Sequence, residues 1–333
     1  MYLAKHLYSH QYFAIKAISK KDTQLQPVGL AQVMAEREVL SKCSSLFIVK
    51  LHSTFQDNNN FYFCLEYMGG GNLRKLLKKY KTFEGYEAVY IAAQVLLGLK
   101  YLHEEAMTMH RDLKPENVLL NEVGDLKLSD FGLAKIGLTE AFSICGTRQY
   151  FAPEQLKETG YDKKVDFWAY GCLLYELLVG KPPFADKNQA RLFERIKSVS
   201  FCVNQADFDS EKIPTGHAKD LINRLLEQEP RKRIGAHGFA ELMNHPFFQE
   251  VAWEDLEHGR IVSPLRGKVS ASSPESMGFF ELKPDEPMSL DDMAGSHLGV
   301  EVSYTAVFNP QYLDRSEEIL NSSQHSHKSR ITN

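Results

Sequence analysis

The first seventy residues alternate between short strand-like runs and one helical pattern. Three runs are rich in β-branched and aromatic residues, which is typical of strands: residues 12–18, 48–55 and 61–67. The sequence Asp57-Asn58-Asn59-Asn60 predicts a turn between the last two runs. Residues 29–42 instead have apolar positions at helical spacing. This part therefore predicts a small strand-rich lobe, followed by the chain-breaking Gly69-Gly70-Gly71.

After these glycines the pattern becomes mainly helical. A long helix is predicted over residues 86–103, and a hairpin is predicted from residues 118–120 and 126–128, with Gly124-Asp125 as its turn. Further helical periods follow at residues 163–180, 187–198, 216–228 and 238–245. The pair Phe247-Phe248 is predicted to close the packed part. The expected fold class is α+β, with a small strand-rich lobe and a large helical lobe.

The composition changes after residue 249. Residues 263–333 are rich in serine and proline and have little periodicity, which is typical of extended or disordered chain. We therefore expect a compact domain over residues 1–248, with lobes at 1–68 and 72–248. Residues 249–333 are expected to form a partly disordered C-terminal extension.

Bulk properties exclude several classes of protein. The net charge is −4 and no basic run dominates, which argues against nucleic-acid binding. The five cysteines are far apart, without a CxxC motif, which favours reduced thiols in the cytoplasm or nucleus over a zinc site. The start of the chain has no signal-peptide pattern. The longest apolar stretch, residues 165–179, contains Asp166 and Glu176, so it predicts a buried helix and no membrane span.

Two short motifs supply chemistry that belongs together. Residues 110–117 read His-Arg-Asp-Leu-Lys-Pro-Glu-Asn, and Asp130-Phe131-Gly132 begins thirteen residues after Asn117. They supply a candidate base (Asp112), a cation (Lys114) and two oxygen ligands for Mg²⁺ (Asn117 and Asp130). This spacing is typical of a phosphoryl-transfer centre. Each acidic residue alone has the alternative of a solvated turn carboxylate.

A lysine in the middle of a predicted strand is the next candidate. Lys16 resembles the strand lysine with which protein kinases hold the α- and β-phosphates of a nucleotide, and Glu36 of the following helix is its expected partner. Glu38 is the competing partner; Glu36 is preferred because Leu40 then falls one turn later on the core side. The alternative for Lys16 is a lysine that keeps an edge strand soluble.

The segment between Phe131 and Glu154 contains candidate regulatory residues. Ser143 is a candidate phosphorylation site because it stands where protein kinases with similar segments carry a regulatory phosphate, and Arg111 and Lys135 are the cations expected to receive it. The alternative is an unmodified loop serine.

Three further contacts are expected around the catalytic motifs. Thr147 is expected to bond Asp112 and Lys114. Glu154 is expected to pair with Arg233, and Asp166 is expected to hold the backbone of the catalytic loop.

These motifs resemble those of eukaryotic serine/threonine protein kinases, and several stretches are similar to the AGC group, typified by the cyclic-AMP-dependent kinase. The resemblance covers roughly residues 1–265 and is carried by residues 13–16, 66–68, 111–117, 145–147, 168–172, 181–184 and 233–238. It implies an ATP- and Mg²⁺-dependent transfer of phosphate to Ser or Thr of protein substrates. Lys114, two residues after Asp112, fits serine/threonine kinases better than tyrosine kinases. An upstream activating kinase is a further implied partner.

The resemblance also implies roles for individual residues. The adenine pocket would include Ala14, Glu66, Met68 and Leu119, with hydrogen bonds from the backbone of Glu66 and Met68.

On the substrate side, Glu116 and Glu176 would receive an arginine upstream of the acceptor, and Thr147 would lie beside the acceptor. Asn72 stands where a substrate-binding glutamate is common, so only a moderate preference for basic substrates is expected. In the extension, residues 289–293 and 308–312 resemble segments that contact the nucleotide and the small lobe.

One family feature is missing from the sequence. No glycine-rich phosphate loop precedes Lys16, and Met1 falls just past the position of its last glycine. Two explanations are open at this point. The chain is either a truncated form of an active kinase, which the intact catalytic residues favour, or a pseudokinase that acts by binding.

Overall fold

The first strands of the chain form a four-stranded antiparallel sheet in a computed structural model, which describes residues 1–5, 10–25, 29–83, 85–138, 140–157, 160–198 and 215–269. The strands are β1 (Tyr2–Lys5), β2 (Tyr12–Ser19), β3 (Leu51–Gln56) and β4 (Asn60–Glu66). Their order is β1-β2-β4-β3. The predicted turn before β4 forms because a side-chain oxygen of Asp57 accepts hydrogen bonds from the amides of Asn59 and Asn60.

Two helices follow β2 in the chain, α1 (Lys20–Leu25) and α2 (Gly29–Lys42). Helix α2 was predicted from its apolar spacing, and Leu30, Val33 and Leu40 are buried as expected. Strand β1 and helix α1 were not predicted. Each is too short to show a period, since β1 has four residues and α1 has six.

The chain divides into two compact units, and the sheet, α1 and α2 belong to the first. This unit comprises Met1–Lys42 and Lys50–Tyr67. The second comprises Cys43–Val49 and the described residues from Met68 onward. The strand predicted from residue 48 starts later, because Ile48 forms a bridge with Leu128 in the second unit.

The second unit is mainly helical, as predicted. Its helices are α3 (Leu73–Tyr80), α4 (Gly85–Glu104), α5 (Lys164–Val179), α6 (Gln189–Lys197), α7 (Thr215–Leu225), α8 (Phe239–Met243) and α9 (Trp253–Glu257). Its short strands are β5 (Gly71–Asn72), β6 (Thr108–Met109), β7 (Val118–Leu120), β8 (Leu126–Leu128) and β9 (Lys135–Ile136). Strands β5, β7 and β8 form one sheet, and β6 pairs with β9. The predicted hairpin is the β7–β8 pair. The α+β fold class is confirmed.

Helices α4 and α5 provide much of the core of this unit. Helix α5 is buried along nearly its whole length, and the Tyr170 hydroxyl donates to the Ala92 carbonyl of α4 at 2.9 Å. Trp168 stacks on Phe184, with ring centroids 5.4 Å apart. The apolar stretch at residues 165–179 is therefore a core helix. Within the described part of the chain, no helix combines the length and apolar character that crossing a membrane requires.

Packing continues beyond Phe248, so the expectation that this residue closes the packed part is wrong. Leu256, Leu265 and Val269 are buried. The Ser263 hydroxyl donates to the Gly124 carbonyl at 2.8 Å, which fixes this segment on the β7–β8 turn. These few buried residues were not predicted because they are isolated apolar positions in an otherwise polar segment. Residues 289–293 and 308–312 lie outside the described residues.

A buried ion pair connects two distant parts of the second unit. Arg233 donates from Nη1 and Nη2 to the two carboxylate oxygens of Glu154, at 2.7 and 3.0 Å. Its remaining donors reach the carbonyls of Lys164 and Glu227, and its guanidinium lies 5.3 Å from the centre of the Trp168 ring. The structure thus forms the predicted Glu154–Arg233 bridge with all its charges satisfied.

Removing one member of this pair is expected to be costly, because Glu154 would keep a buried charge without a cation. We expect Arg233→Met to lower the free energy of unfolding by about 3–5 kcal/mol. Urea unfolding followed by circular dichroism measures the change. Lys232→Ala is the matched control, because Lys232 pairs with Glu229 at the exposed surface. Equal losses in both variants would contradict a structural role for the buried pair.

Candidate active site

The loop between β6 and β7, which contains the candidate catalytic residues, is held by a buried carboxylate from α5. Asp166 accepts hydrogen bonds from the amides of His110 and Arg111, at 2.9 and 2.8 Å, as predicted. The Nε2 of His103 lies 2.8 Å from the same carboxylate. Burial alone would raise the pKa of Asp166, but the hydrogen bonds and the imidazoles of His103 and His110 outweigh it and lower the pKa. The carboxylate therefore stays charged and holds the loop.

Two residues of the site have backbone angles that non-glycine residues rarely adopt. Arg111 has φ of +65° and Asp130 has φ of +62°. Such conformations persist only where surrounding contacts hold them, and they concentrate at functional sites. Arg111 is held in this conformation by the hydrogen bond that its backbone amide donates to the Asp166 carboxylate. Because Asp112 is the next residue in the chain, the held backbone of Arg111 also restricts the position of Asp112.

The Asp112 carboxylate lies at the centre of a hydrogen-bonded cluster. Its Oδ2 accepts from Lys114 Nζ at 2.6 Å and from Asn117 Nδ2 at 3.2 Å. Its Oδ1 accepts from the amide and the hydroxyl of Thr147, both at 2.8 Å. Lys114 also donates to the Thr147 hydroxyl at 2.8 Å. The predicted contacts of Thr147 with Asp112 and Lys114 are therefore present.

The side chains expected to bind Mg²⁺ suit a hard cation. Asn117 uses its amide nitrogen to donate to the carbonyl and the carboxylate of Asp112. Its side-chain oxygen is then the atom that a metal ion would meet. Ser129, which precedes the exposed Asp130, donates from its amide to the Asn117 carbonyl at 2.9 Å and so ties the two segments together. The donor set of one amide and one carboxylate oxygen fits Mg²⁺, which completes its shell with water and phosphate oxygens.

In the first unit, Lys16 of β2 pairs with Glu36 of α2. Lys16 Nζ lies 2.6 and 2.8 Å from the two carboxylate oxygens of Glu36. Glu36 is buried, whereas Lys16 is partly exposed. The competing candidate, Glu38, instead pairs with Lys42 at the exposed surface. The choice of Glu36 over Glu38 is thus confirmed as a contact.

The residues expected around adenine fall in both units. Ala14 of β2 lies directly opposite Leu65 of β4. The amide of Glu66 donates to the Lys50 carbonyl at 2.9 Å, within the sheet. In the second unit, Met68 is buried and Leu119 is half-buried in β7.

At the expected phosphorylation site, Ser143, one of the two expected cations makes a direct contact. Arg111 Nη1 donates to the Ser143 hydroxyl at 3.0 Å, while Tyr161 donates to the Ser143 carbonyl at 2.6 Å. Lys135 Nζ donates to the Glu140 carbonyl at 2.5 Å. Burial and, next, the positive charge of Arg111 lower the pKa of Lys135, which indicates that the two cations share one region. Exposed Ser143 therefore contacts one of the two expected cations, and the other lies near that cation.

Sequence reasoning missed one residue of the substrate side, Arg74 of α3. Its guanidinium bonds both Glu116 and Glu176, the two carboxylates expected to receive a substrate arginine. It also donates to the Tyr150 hydroxyl at 3.1 Å. In the sequence Leu-Arg-Lys-Leu-Leu-Lys-Lys, nothing distinguishes Arg74 from a solvated helix cation. Asn72 caps α3, since its side-chain oxygen accepts from the Lys75 amide at 3.0 Å.

The family model for the protein kinase domain matches residues 1–248. The chain belongs to this family. It is 38% identical over 263 residues to a probable serine/threonine-protein kinase of Dictyostelium discoideum, covering 78% of this chain and 56% of that protein. It is 37% identical over 278 residues to protein kinase C delta type of Homo sapiens, covering 81% of this chain and 39% of that protein.

A third relative is the serine/threonine-protein kinase Sgk1-A of Xenopus laevis. It is 37% identical over 278 residues, covering 81% of this chain and 62% of that protein. These relatives confirm the predicted resemblance to serine/threonine kinases of the AGC type. The chain spans between 39% and 62% of the length of these three relatives.

The lowered pKa of Asp166 makes stability depend on pH. Because the carboxyl has a lower pKa in the folded chain than in the unfolded chain, it contributes stability above about pH 4 that is lost as the pH falls. Asp166→Asn should therefore lower the free energy of unfolding most at neutral pH, and the difference from the unchanged chain should shrink below about pH 4.

Urea unfolding at several pH values measures this difference. Asp255→Asn is the control, because Asp255 pairs with Arg260 at the surface. A difference for Asp166→Asn that stays constant with pH would contradict a charged carboxylate in the folded chain.

Proposed function

We propose that this chain is the catalytic domain of a serine/threonine protein kinase, which transfers the γ-phosphate of ATP to Ser or Thr hydroxyls of proteins. The observation that carries the proposal is the cluster around Asp112. It holds a carboxylate, a lysine and an amide in fixed positions, and a phosphoryl-transfer centre requires these groups. We propose residues 1–248 as this domain and residues 249–333 as its C-terminal extension.

In the proposed reaction, the acceptor hydroxyl oxygen forms a bond to the γ-phosphorus. The bond between that phosphorus and the bridging oxygen of ADP breaks, and the hydroxyl proton goes to Asp112. Asp112 mainly orients the acceptor, and Lys114 neutralises negative charge on the transferring phosphoryl group. Thr147 holds both side chains in place. Asn117 and Asp130 would hold Mg²⁺, which would supply charge neutralisation at the phosphates.

For the nucleotide, we assign the phosphate contact to Lys16, which Glu36 orients. The fixed pair places a cation without the entropic cost of ordering a free lysine. Ala14 and Leu119 would pack on the adenine, and the backbone of Glu66 and Met68 would form its hydrogen bonds. The Glu66 amide already bonds Lys50, so its carbonyl is the group assigned to adenine.

Regulation by phosphorylation at Ser143 is part of the proposal. Arg111 already contacts the Ser143 hydroxyl, and Lys135 belongs to the same region. A phosphate would add strong acceptor oxygens between these cations, which orders the segment. Since Arg111 lies next to Asp112, the modification would stabilise the catalytic loop directly. An upstream kinase would supply the phosphate.

We place the protein in the cytoplasm or nucleus, with protein substrates as partners. All the cysteines in the described ranges are free: Cys43, Cys64, Cys145 and Cys172. Burial raises the pKa of Cys43 and of Cys64 to about 11, so these thiols stay protonated and unreactive. Free thiols favour a reducing compartment.

The assignment of Asp112 predicts a specific loss. Asp112→Asn should lower kcat for phosphorylation of a serine peptide by at least about a hundredfold, because the amide cannot take the proton. The fold should be kept, since the amide keeps an oxygen for Thr147. Radiolabelled phosphate transfer measures kcat, and Glu122→Gln, an exposed change in the β7–β8 turn, is the control. Undiminished turnover in Asp112→Asn would refute the assignment.

The regulatory assignment predicts a gain. Protein with phosphoserine installed at position 143 should show a thermal midpoint several degrees higher and a kcat/KM at least about tenfold higher than unmodified protein. Arg111→Met should remove most of the gain in midpoint, because it removes the main receiver. Phosphoserine at exposed Ser41 is the control. Identical midpoints and activities with and without phosphate at Ser143 would rule out this regulation.

A further inference from the structure

The guanidinium of Arg74 is engaged on three sides. Its Nε donates to Glu116 at 2.8 Å, its Nη1 bonds Glu176, and its Nη2 donates to the Tyr150 hydroxyl at 3.1 Å. Longer contacts from Nη2 reach the second oxygens of Glu116 and Glu176, at 3.5 and 3.3 Å. Both carboxylates thus bond one planar cation of the same chain.

Glu176 is fully satisfied by these neighbours. Its side chain is only 2% exposed, so its charge requires a cation and hydrogen-bond donors. Arg74 supplies the cation, and the Tyr150 hydroxyl donates to the other carboxylate oxygen. Burial and the charge of Glu176 raise the pKa of Tyr150 well above its usual value, so this hydroxyl keeps its proton as a donor.

The cluster of Arg74, Glu116 and Glu176 has a net charge of −1. Two carboxylates face one guanidinium, and Asn72, at the third position where an acidic residue is common, is uncharged and caps α3. Of the two carboxylates, only Glu116 is substantially exposed, at 43%. Arg74 thus leaves one net negative charge, instead of two, to attract a further cation.

We propose that Arg74 is a specificity-determining residue: it occupies the place of a substrate arginine, so that the protein does not select basic residues upstream of the acceptor. This inference rests on the proposed kinase function and refines its substrate class. It replaces the moderate preference for basic substrates expected from Glu116 and Glu176 alone.

In competition for the carboxylates of Glu116 and Glu176, Arg74 is favoured over an arginine of the substrate. A substrate guanidinium would approach a like charge, and binding to the carboxylates would require it to displace Arg74. Arg74 is held on α3 beside its partners, so it competes at a high effective concentration. Displaced Arg74 would also lose bonds to two carboxylates and a hydroxyl.

The test measures binding of fluorescein-labelled serine peptides by fluorescence polarisation. Four peptides each have one arginine, at one of the four positions before the serine, and a fifth has alanine at all four. For the unchanged chain we expect dissociation constants for all five within about threefold. Arg74→Met removes the charge while keeping the length, and should bind at least one arginine peptide about tenfold more tightly than the alanine peptide.

Two further variants test whether the charge of Arg74 and the carboxylate of Glu116 determine the affinity for arginine peptides. Arg74→Lys keeps the charge and should show no preference for arginine. Arg74→Met combined with Glu116→Gln should lose most of the gain, because one receiving carboxylate is gone. Arg74→Met without any gain for arginine peptides would overturn the proposal.

Glu116→Gln in the unchanged background provides a test that does not depend on the folding of Arg74→Met, because Glu116 is exposed. The proposal expects no change in the ratio of arginine to alanine affinities. A tenfold or larger preference for arginine in the unchanged chain that Glu116→Gln abolishes would overturn it.

Binding and transfer are read separately, so the two hypotheses fail separately. A gain for arginine peptides in Arg74→Met without phosphate transfer to any peptide would reject the kinase function and keep the role of Arg74 in peptide binding. Transfer with a strong Glu116-dependent arginine preference would keep the function and reject the role of Arg74.

Discussion

The buried carboxylate of Asp166 is the constraint on which the candidate site depends. It binds consecutive backbone amides of His110 and Arg111, which form a loop with a strained residue at its centre. A loop alone could not keep Arg111 in this conformation, because the left-handed region is unfavourable for residues with a Cβ. The helix that carries Asp166 is buried along its length, so the constraint is anchored in the core. The position of Asp112, the residue after Arg111, therefore depends on the hydrogen bonds of Asp166.

Each of the two units holds one charged side chain of the candidate site in place through hydrogen bonds from its own residues. In the second unit, Lys114 and Thr147 fix the Asp112 carboxylate. In the first, buried Glu36 fixes Lys16. Each cation or carboxylate is held by hydrogen bonds before any substrate binds, which is the property that electrostatic catalysis requires. Arg111 extends the arrangement, since its backbone is bound to Asp166 and its side chain reaches Ser143.

The sequence predicted those parts of the structure that have a local pattern or a fixed motif spacing. Helix α2 and the β7–β8 hairpin follow from periodicity and turn chemistry, and the contacts of Asp166 and Thr147 follow from motif resemblance. Strand β1 and helix α1 were missed because elements of four and six residues are too short to show a period. The buried anchors Leu256 and Leu265 were missed because they are isolated apolar residues in a polar segment.

Arg74 shows a different limit of sequence reasoning. Its partners, Glu116 and Glu176, are 42 and 102 residues away in the chain, and no local pattern connects them. A motif identifies the positions of the acidic residues but says nothing about a cation supplied by another helix. Only the fold brings the guanidinium to both carboxylates, and the proposed substrate preference rests on this contact.

We propose that the groups around Asp112 transfer the terminal phosphate of ATP to a hydroxyl. To test this transfer, the chain is incubated with a degenerate library of serine and threonine peptides, Mg²⁺ and ATP labelled at either the γ- or the α-phosphate. We expect Mg²⁺-dependent labelling of peptide hydroxyls from γ-labelled ATP and none from α-labelled ATP. Absence of labelling from γ-labelled ATP at saturating nucleotide would contradict it.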